Sequence, residues 1–492
     1  MREHLAAYFE SHHKLVESSA LQMILASPRP LALSRALIER SGADSPFVTV
    51  EMVEALLSRE AARAGAVTLA PRAAPAPPPA FALVAPGYEP PPAGRAPLQA
   101  YGELFRSRYD ALAQILRGKA EIAGARPIAE LRRSEGRATI IGMVRDVRRP
   151  TGRQHILLTL EDPTGSTEVF VPKDTEAARV PWLPDEVVGV VVQLPKERDR
   201  SPRAVHVVRP DVVAGRPDRG PTADGRVLFL SDLHVGSKSF LEDEWGALIA
   251  FLHGREGPSE VAESIRHVVI AGDLVDGIGI YPNQERDLAI GDIFEQYTEL
   301  GRRLRELPHR LDVVVIPGNH DAVCPAEPQP ALPPEISGAL PSEVHSLANP
   351  STFALDGVVI EAYHGRSFDD LIPAIPGASY ARPTEVMRQM LAMRHLAPIY
   401  GGRTPLAPLP RDGLVVDPAP EVLVTGHAHT YGVDQYHGVL LLNVSTWQAE
   451  TEYQKMRNID AVPAHAAVVR LGDLGVSTVD CTGGRVRVRT GA

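Results

Sequence analysis

Cysteine is almost missing from this chain: Cys324 and Cys481 are the only two in 492 residues. Two cysteines so far apart make neither a disulfide framework nor a zinc-ribbon spacing. Long apolar runs are missing too, and none approaches the roughly 20 residues that span a bilayer. The amino terminus, "MREHLAAYFESHHK", holds His and Glu where a secretory signal needs a greasy centre. A surplus of positive charge is the third absence, with 51 Lys and Arg against 61 Asp and Glu, a net −10. Such a chain does not coat nucleic acid non-specifically; phosphate-backbone binding has to come from a local patch, bound metal or a partner. No internal repeat is visible. The expectation is a soluble, intracellular protein with no membrane association.

The length implies two to four domains. Residues 1–69 read as a helical module, with helical apolar spacing in "LVESSALQMILASP" and "VTVEMVEALLSREAARAG". Residues 70–97 hold ten prolines and read as an extended, semi-rigid tether. A helix resumes at "LQAYGELFRSRYDALAQILRG", where Leu98, Tyr101, Phe105, Leu112 and Ile115 form one stripe. From about Ala138 five short β segments follow, separated by turn-rich stretches such as "EDPTGS", and suggest a small Greek-key barrel of the OB kind within residues 98–215. Residues 117–153 carry ten Lys and Arg against four Asp and Glu. That stripe could track a nucleic-acid backbone, face solvent or meet a partner subunit, and few aromatics are interleaved for base stacking. Residues 222–485 alternate apolar strands with helical segments, the pattern of βαβ units around a buried parallel sheet. Between Cys324 and Pro350 the chain is rich in Pro and Glu and reads as a surface excursion.

This last domain places metal-ligand residue types just past its strands, five times over: Asp232 and His234 in "FLSDLHVGS", Asp273 in "IAGDLVD", Asn319, His320 and Asp321 in "VIPGNHD", His364 in "AYHGRS", and His427 and His429 in "VTGHAHT". Residues i and i+2 of an extended segment project to one side, so Asp232/His234 and His427/His429 can each chelate as a pair. Gly272, Gly318 and Gly426 allow sharp turns that bring the next side chain inward. Strand carboxyl ends meet in one crevice. The donor set is too large for one four-coordinate zinc and suits two divalent ions. Mixed N and O donors favour Mn, Fe or Zn over Mg or Ca. Two such ions would attract a phosphate and acidify a water between them, which is the chemistry of phosphate-ester hydrolysis. Asp276, in the loop "DGIGIYP", is expected to satisfy loop backbone donors, and Arg366 either reaches a substrate phosphate or makes a structural ion pair.

The ordered set D-x-H, GD, GNHD, H and GHxH resembles the calcineurin-like metallophosphoesterase superfamily. The resemblance implies one metal on Asp232, His234 and His429, a second on Asn319, His364 and His427, and Asp273 bridging them. It casts His320 as the acid at the leaving oxygen, oriented by Asp321. The longer segments "GDLVDGIGIYPNQE", "YHGRSFDDLIP" and "NVSTWQAETEYQKMRNIDAVPAHA", behind an OB-type barrel, resemble the small subunit of archaeal D-family DNA polymerases over roughly residues 100–480. That family implies a Mn²⁺-activated 3′–5′ proofreading exonuclease bound to a large polymerase subunit, with DNA as substrate. It also implies a cytoplasmic, nucleoid-associated site of action, and leaves contact with a sliding clamp or primase open. The rival readings are a phosphatase or small-molecule phosphodiesterase on the same fold, and a catalytically silent scaffold. Ala428 in "GHAHT" stands where a larger apolar residue is expected.

Overall fold

The computed structural model describes residues 2–27, 30–40, 46–56, 81–85, 87–88, 97–133, 135–150, 155–195, 201–215, 225–451, 454 and 460–491. The chain forms two compact units, Met1–Pro77 and Pro78–Ala492. In the first, helices Arg2–Ser11, Ser18–Ala26 and Pro30–Arg40 accompany two short parallel strands, β1 (Leu15–Val16) and β2 (Phe47–Val48). Leu5 with Phe9 and Leu33 with Leu37, each pair four residues apart on a helix, meet Ile24 and Val53 in its core. Residues 57–65 of the expected second helical stretch lie outside the described residues.

Most of the expected tether, 70–80, 86 and 89–96, also lies outside them. Its middle is a correction. Phe81–Ala85 forms strand β3, which pairs antiparallel with β13 (Ser351–Leu355), Phe81 opposite Leu355. The apolar island "FALVA" explains this: Phe81 stacks on His345 at 4.3 Å and packs against Phe353, contacts that a proline-only segment could not make.

Helix Pro97–Arg117 buries Ala100, Leu104, Arg108, Leu112, Ala113 and Leu116. Leu98, placed on the buried stripe by periodicity, is 88% exposed. The face is centred on Leu104 and Arg108 because the helix packs on two surfaces. Tyr109, Leu112 and Leu116 meet Ile141, Met143 and Val187 of the barrel, while Arg108 pairs with Asp412 far along the chain at 2.7 Å.

The five β segments form a closed barrel. Strands β4 (Arg137–Arg148), β5 (Ile156–Asp162), β6 (Gly165–Val171), β7 (Val187–Gln193) and β8 (Arg203–Val208) run in the order β4-β5-β6-β8-β7. β4 pairs with both β5 and β7, so no edge is left open. Alternate residues such as Leu158, Leu160, Val188, Val190 and Val192 fill the interior. On its wall Arg145 faces Glu161 at 3.8 Å and Arg148 faces Asp146 at 3.4 Å, so acids partly neutralise the basic stripe.

The remainder is two stacked sheets. One has the order β12-β11-β10-β9-β18-β19-β20, from β9 (Arg226–Leu230), β10 (Ile265–Ala271), β11 (Asp312–Ile316), β12 (Val344–Ser346), β18 (His465–Arg470), β19 (Val476–Asp480) and β20 (Arg487–Thr490). The other has the order β16-β17-β15-β14-β13-β3, from β14 (Val358–Ala362), β15 (Val422–Thr425), β16 (Tyr431–Tyr436) and β17 (Val439–Val444) with β13 and β3. β9 to β12 are mutually parallel, as are β14, β15 and β17.

Period-two alternation makes the layers. Val227 and Phe229 face Phe353, Ile360 and Leu442 between the sheets. Leu228 and Leu230 face outward to Trp245, Phe251, Tyr297 and Leu300, which lie on helices Glu242–Leu252 and Ile293–Leu304. Helix Pro383–Met393 covers the second sheet through Met387, Met390 and Leu391. Covering both faces of each sheet is why its strands read as unbroken apolar runs. The segment 324–350 is not a surface excursion: Glu327, Gln329, Leu332, Ile336 and Asn349 are buried, and it contributes β12. No described helix is long and apolar enough to cross a membrane.

Candidate metal centre

Five strands deliver the motif residues to one edge of the sandwich. Asp232 and His234 follow β9, Asp273 follows β10, Asn319 follows β11, His364 follows β14, and His427 and His429 follow β15. The backbone there is not extended. Asp232, His234, Asp273, His427 and His429 all sit at φ between 48° and 63°, a left-handed conformation that costs a side-chain-bearing residue roughly 1–2 kcal/mol. Hydrogen bonds between the turns hold it. Asp232 N–H donates to Gly272 O at 3.0 Å, His234 N–H to Asp273 O at 3.1 Å, and Trp447 N–H to Asp232 O at 2.9 Å.

The expected glycines act mainly through their lack of a side chain. A Cβ on Gly318 would lie 2.2 Å from Asp273 Oδ1, one on Gly426 2.2 Å from Asp232 Oδ2, and one on Gly272 2.5 Å from His364 Nδ1. Only Gly272 of the three has a positive φ, 92°.

The side chains gather into overlapping clusters. Asp232, His234 and His429 form one, and Asp273, His364 and His427 another, with the donor atoms of each cluster within 4.8 Å of one another. The two histidines of "GHAH" therefore go to different clusters rather than chelating as a pair. Asp273 sits between the clusters, its Oδ2 3.3 Å from His364 Nε2 and 3.8 Å from His234 Nε2. Asn319 joins the second cluster, with Oδ1 3.2 Å from His364 Nε2.

Ring orientation follows from the far nitrogen. His234 Nδ1 donates to Asp276 Oδ1 at 3.1 Å and His364 Nδ1 to Ala271 O at 2.9 Å, which turns both Nε2 lone pairs inward. His234 Nε2 and His429 Nε2 face each other at 3.1 Å; such a pair shares either one proton or one cation. Asp232 Oδ1 is buried, with His429 Nε2 3.2 Å and His234 Nε2 3.8 Å away but no well-aligned hydrogen bond among the described residues. A buried anion oxygen served only by such imidazoles is costly when they are neutral, and a divalent cation among them fits it.

Charge agrees with that fit. Burial opposes ionisation of Asp232 and Asp273, yet His429 and His234 for the first, and His364 and His320 for the second, hold both carboxyls well below the usual range. Burial likewise opposes charge on His234 and His364, but the carboxylates around them outweigh it and lift the imidazoles to about 10 and about 9. A cation would replace those protons.

His320 is half-buried, its Nε2 3.9 Å from Asp273 Oδ2, and burial pushes its pKa down. Asp321 does not orient it. Asp321 accepts from Gly318 N–H at 2.7 Å, Leu274 N–H at 3.1 Å and Tyr297 O–H at 2.8 Å, tying the loops after β10 and β11 to a helix. Burial pushes its carboxyl up to about 6. The orienting group is the backbone carbonyl of Asp276, which accepts His320 Nδ1–H at 2.7 Å.

Asp276 is the main residue that the motifs undersold. Its buried carboxylate binds side chains, those of His234, Gln448 and Gln284, rather than loop backbone donors. Asp369 was missed altogether and lies 3.6 Å from His427 Nε2. Gln329 and Asn349 hold the strand ends, through Gly318 O and His364 N–H. Arg366 lines the same cleft, of about 230 Å³, and donates to Pro325 O at 2.7 Å.

Residues 227–433 match the family of B subunits of DNA polymerases alpha and epsilon. The chain is 44% identical to the DNA polymerase II small subunit of Archaeoglobus fulgidus, over 75% of this chain and 74% of that one. It is 42% identical to the corresponding protein of Methanothermobacter thermautotrophicus, over 75% and 77%, and 38% identical to that of Halobacterium salinarum, over 78% and 75%. Among solved structures, Vps29 of Entamoeba histolytica complexed with Zn²⁺ is 16% identical and covers 54% of this chain and 98% of its own, with a TM-score of 0.28.

Proposed function

The chain belongs to the family of archaeal DNA polymerase II small subunits, and from that membership we propose that it carries a two-metal 3′–5′ exonuclease and serves as the partner of a large polymerase subunit. The observation that carries the reading is the convergence of Asp232, His234 and His429 with Asp273, Asn319, His364 and His427 at one buried point. A scaffold has no use for so many buried ligand-type side chains on strained backbone converging on one point. Asp232, His234 and His429 would hold one divalent ion and Asn319, His364 and His427 the other, with Asp273 shared. The mixed N and O donors suit Mn, Fe or Zn, and the family resemblance makes Mn²⁺ the favoured occupant of the three. When bound, such ions supply charge neutralisation for a phosphodiester and an acidified water.

The chain's own groups do the rest. His320, pinned through Nδ1, points Nε2 into the cleft, and in its doubly protonated form it would hand the Nε2 proton to the departing 3′ oxygen. Arg366 offers a cation to the phosphate from the cleft wall. Within the domain scheme, residues 1–69 are a separate helical module, the closed barrel in 98–215 is an OB fold, and 222–485 is a calcineurin-like phosphoesterase domain.

Full-length protein with Mn²⁺ and a labelled single-stranded DNA tests the reading. Asp273→Asn and His364→Ala are each expected to abolish nucleotide release from the 3′ end with the fold retained. Release in either variant at the wild-type rate would refute it. Cleavage of small phosphate esters but not DNA would favour the phosphatase alternative, and neither activity the scaffold.

A further inference from the structure

The rim of the cleft has a chemistry that the metal-ligand residues do not need. On one side stand Ile280 and Tyr281 and on the other Tyr380, all lining the cleft that holds Asn319, His320 and His427. Ile278 and Ile280 are 48% and 39% exposed, in a segment just past Asp276. Ile280 is both exposed and part of the cleft lining, so an apolar side chain stands at the rim beside the polar centre.

Nor is the segment a slack loop. Gln284 braces it from within, Oε1 accepting from Ile280 N–H at 2.9 Å and Nε2 donating to Asp276 O at 2.8 Å. Tyr281 O–H donates to Asp287 Oδ2 at 3.1 Å, and Lys238 N–H to Asp287 O at 2.8 Å. At Gly277, with φ 73°, a Cβ would sit 2.3 Å from His320 O, so the segment lies directly against His320. Across the cleft, the Tyr380 hydroxyl is bonded to Asp369, and its carbonyl accepts from Thr430 Oγ1 at 2.9 Å. Both rings are thus fixed by their hydroxyls or backbone.

We propose that Ile280, Tyr281 and Tyr380 form the seat for unpaired nucleobases at the strand terminus, with the terminal phosphodiester lying over the metal-ligand cluster. The inference rests on the nuclease reading and adds its substrate contact. Aromatic rings accept any base because every base has a π-face, and an apolar side chain can pack against an unstacked base step. Paired bases at a duplex end keep their faces stacked on one another, so this seat selects ends that are already unpaired.

The experiment compares wild type with Tyr281→Ala and Tyr380→Phe, using single-stranded DNA whose last three residues carry bases or are abasic. Affinity is read by fluorescence anisotropy without added metal, and kcat/KM with Mn²⁺. Tyr281→Ala should lose about tenfold on the base-bearing strand, the scale of one stacked base, and converge with wild type on the abasic one. Tyr380→Phe, which keeps the ring, should retain base preference. Equal losses on both strands, or no base preference in wild type, would overturn the proposal. The affinity arm decides the matter even where no DNA is cleaved, so failure of the nuclease reading is told apart from failure of the seat.

Discussion

His320 donates its Nδ1–H to the backbone carbonyl of Asp276 over 2.7 Å, while the carboxylate of the same Asp276 accepts Nδ1–H of His234 at 3.1 Å. One residue therefore aims two imidazoles, one through its side chain and one through its main chain. The two functions are separable by mutation. Asp276→Asn leaves the carbonyl in place and removes only the anion behind His234. Loss of such an outer partner costs metal affinity about 10–100-fold. Titration calorimetry with Mn²⁺ should show that loss, and activity at saturating Mn²⁺ should recover most of the wild-type rate. Unchanged affinity would mean that Asp276 does not tune His234.

Asp321 adjoins His320 in sequence but bonds Gly318, Leu274 and Tyr297 instead. Asp321→Ala orphans three buried donors, each worth about 1–3 kcal/mol. The expected outcome is a loss of several kcal/mol in denaturant midpoint measurements. Tyr297→Phe removes one of those donors and also the acceptor of Ala322 N–H, and should cost about 1–3 kcal/mol. A stability-neutral Asp321→Ala that instead shifted the acid limb of the pH–rate profile would restore it as the partner of His320.

The site was legible in sequence because its chemistry is concentrated. Asp, His and Asn directly after apolar strands have few bland uses, and five such points name one edge of a sheet. The barrel was legible for a similar reason, since period-two patterning in "HILLTLED" and "DEVVGVVVQL" survives closure. What was hidden depends on contacts distant in sequence. Leu98 belongs to a regular stripe, yet Arg108 displaces the buried face by finding Asp412, 304 residues on. "FALVA" looks like part of a proline-rich tether until the open edge of β13 is known. Asp276 gave no sign that two histidines and two glutamines would converge on it. The left-handed backbone at the ligands was equally invisible, because glycine, the usual marker of that conformation, is absent from those positions and adjoins only Asp273 and His427.

Gly318 offers a test of that last point. It needs no positive φ, yet a Cβ there would fall 2.2 Å from Asp273 Oδ1 and 2.4 Å from its backbone nitrogen. Gly318→Ala should therefore displace Asp273 and cut Mn²⁺ affinity at least tenfold while circular dichroism stays native. Gly291→Ala, with nothing within 4 Å of its Cβ, is the matched control and should bind as wild type.

Arg108, Asp412 and His395 form a buried network that fixes the long helix to the loop around residue 412, with Arg108 Nε 2.7 Å and His395 Nε2 3.0 Å from Asp412 Oδ2. Burial, reinforced by Arg108, pushes His395 down to about 4, so it is neutral near pH 7. Arg108→Ala strands a buried carboxylate and should cost about 3–5 kcal/mol at pH 8. The loss should shrink at pH 5. With Arg108 gone, His395 can take up a proton and pair with Asp412, and urea midpoints at the two pH values would show the difference.

Glu361 gives the opposite pH behaviour. It is buried on β14, opposite Thr352 of β13, whose Oγ1 donates to Glu361 Oε2. Burial pushes its carboxyl up to about 7, from an ordinary value of 4.5. Between those values the folded chain keeps a proton that the unfolded chain releases, so stability is present below pH 4.5 and falls as pH rises towards 7. The loss is up to about 3 kcal/mol, taking each pKa unit as 1.36 kcal/mol. Glu361→Gln keeps an acceptor for Thr352 and has no proton to lose. It should match wild type at pH 5 and exceed it at pH 8, as read by urea midpoints of the unit containing it. A variant that was equally destabilised at both pH values would show instead that Glu361 is held ionised, with Arg394 rather than Thr352 as its effective partner.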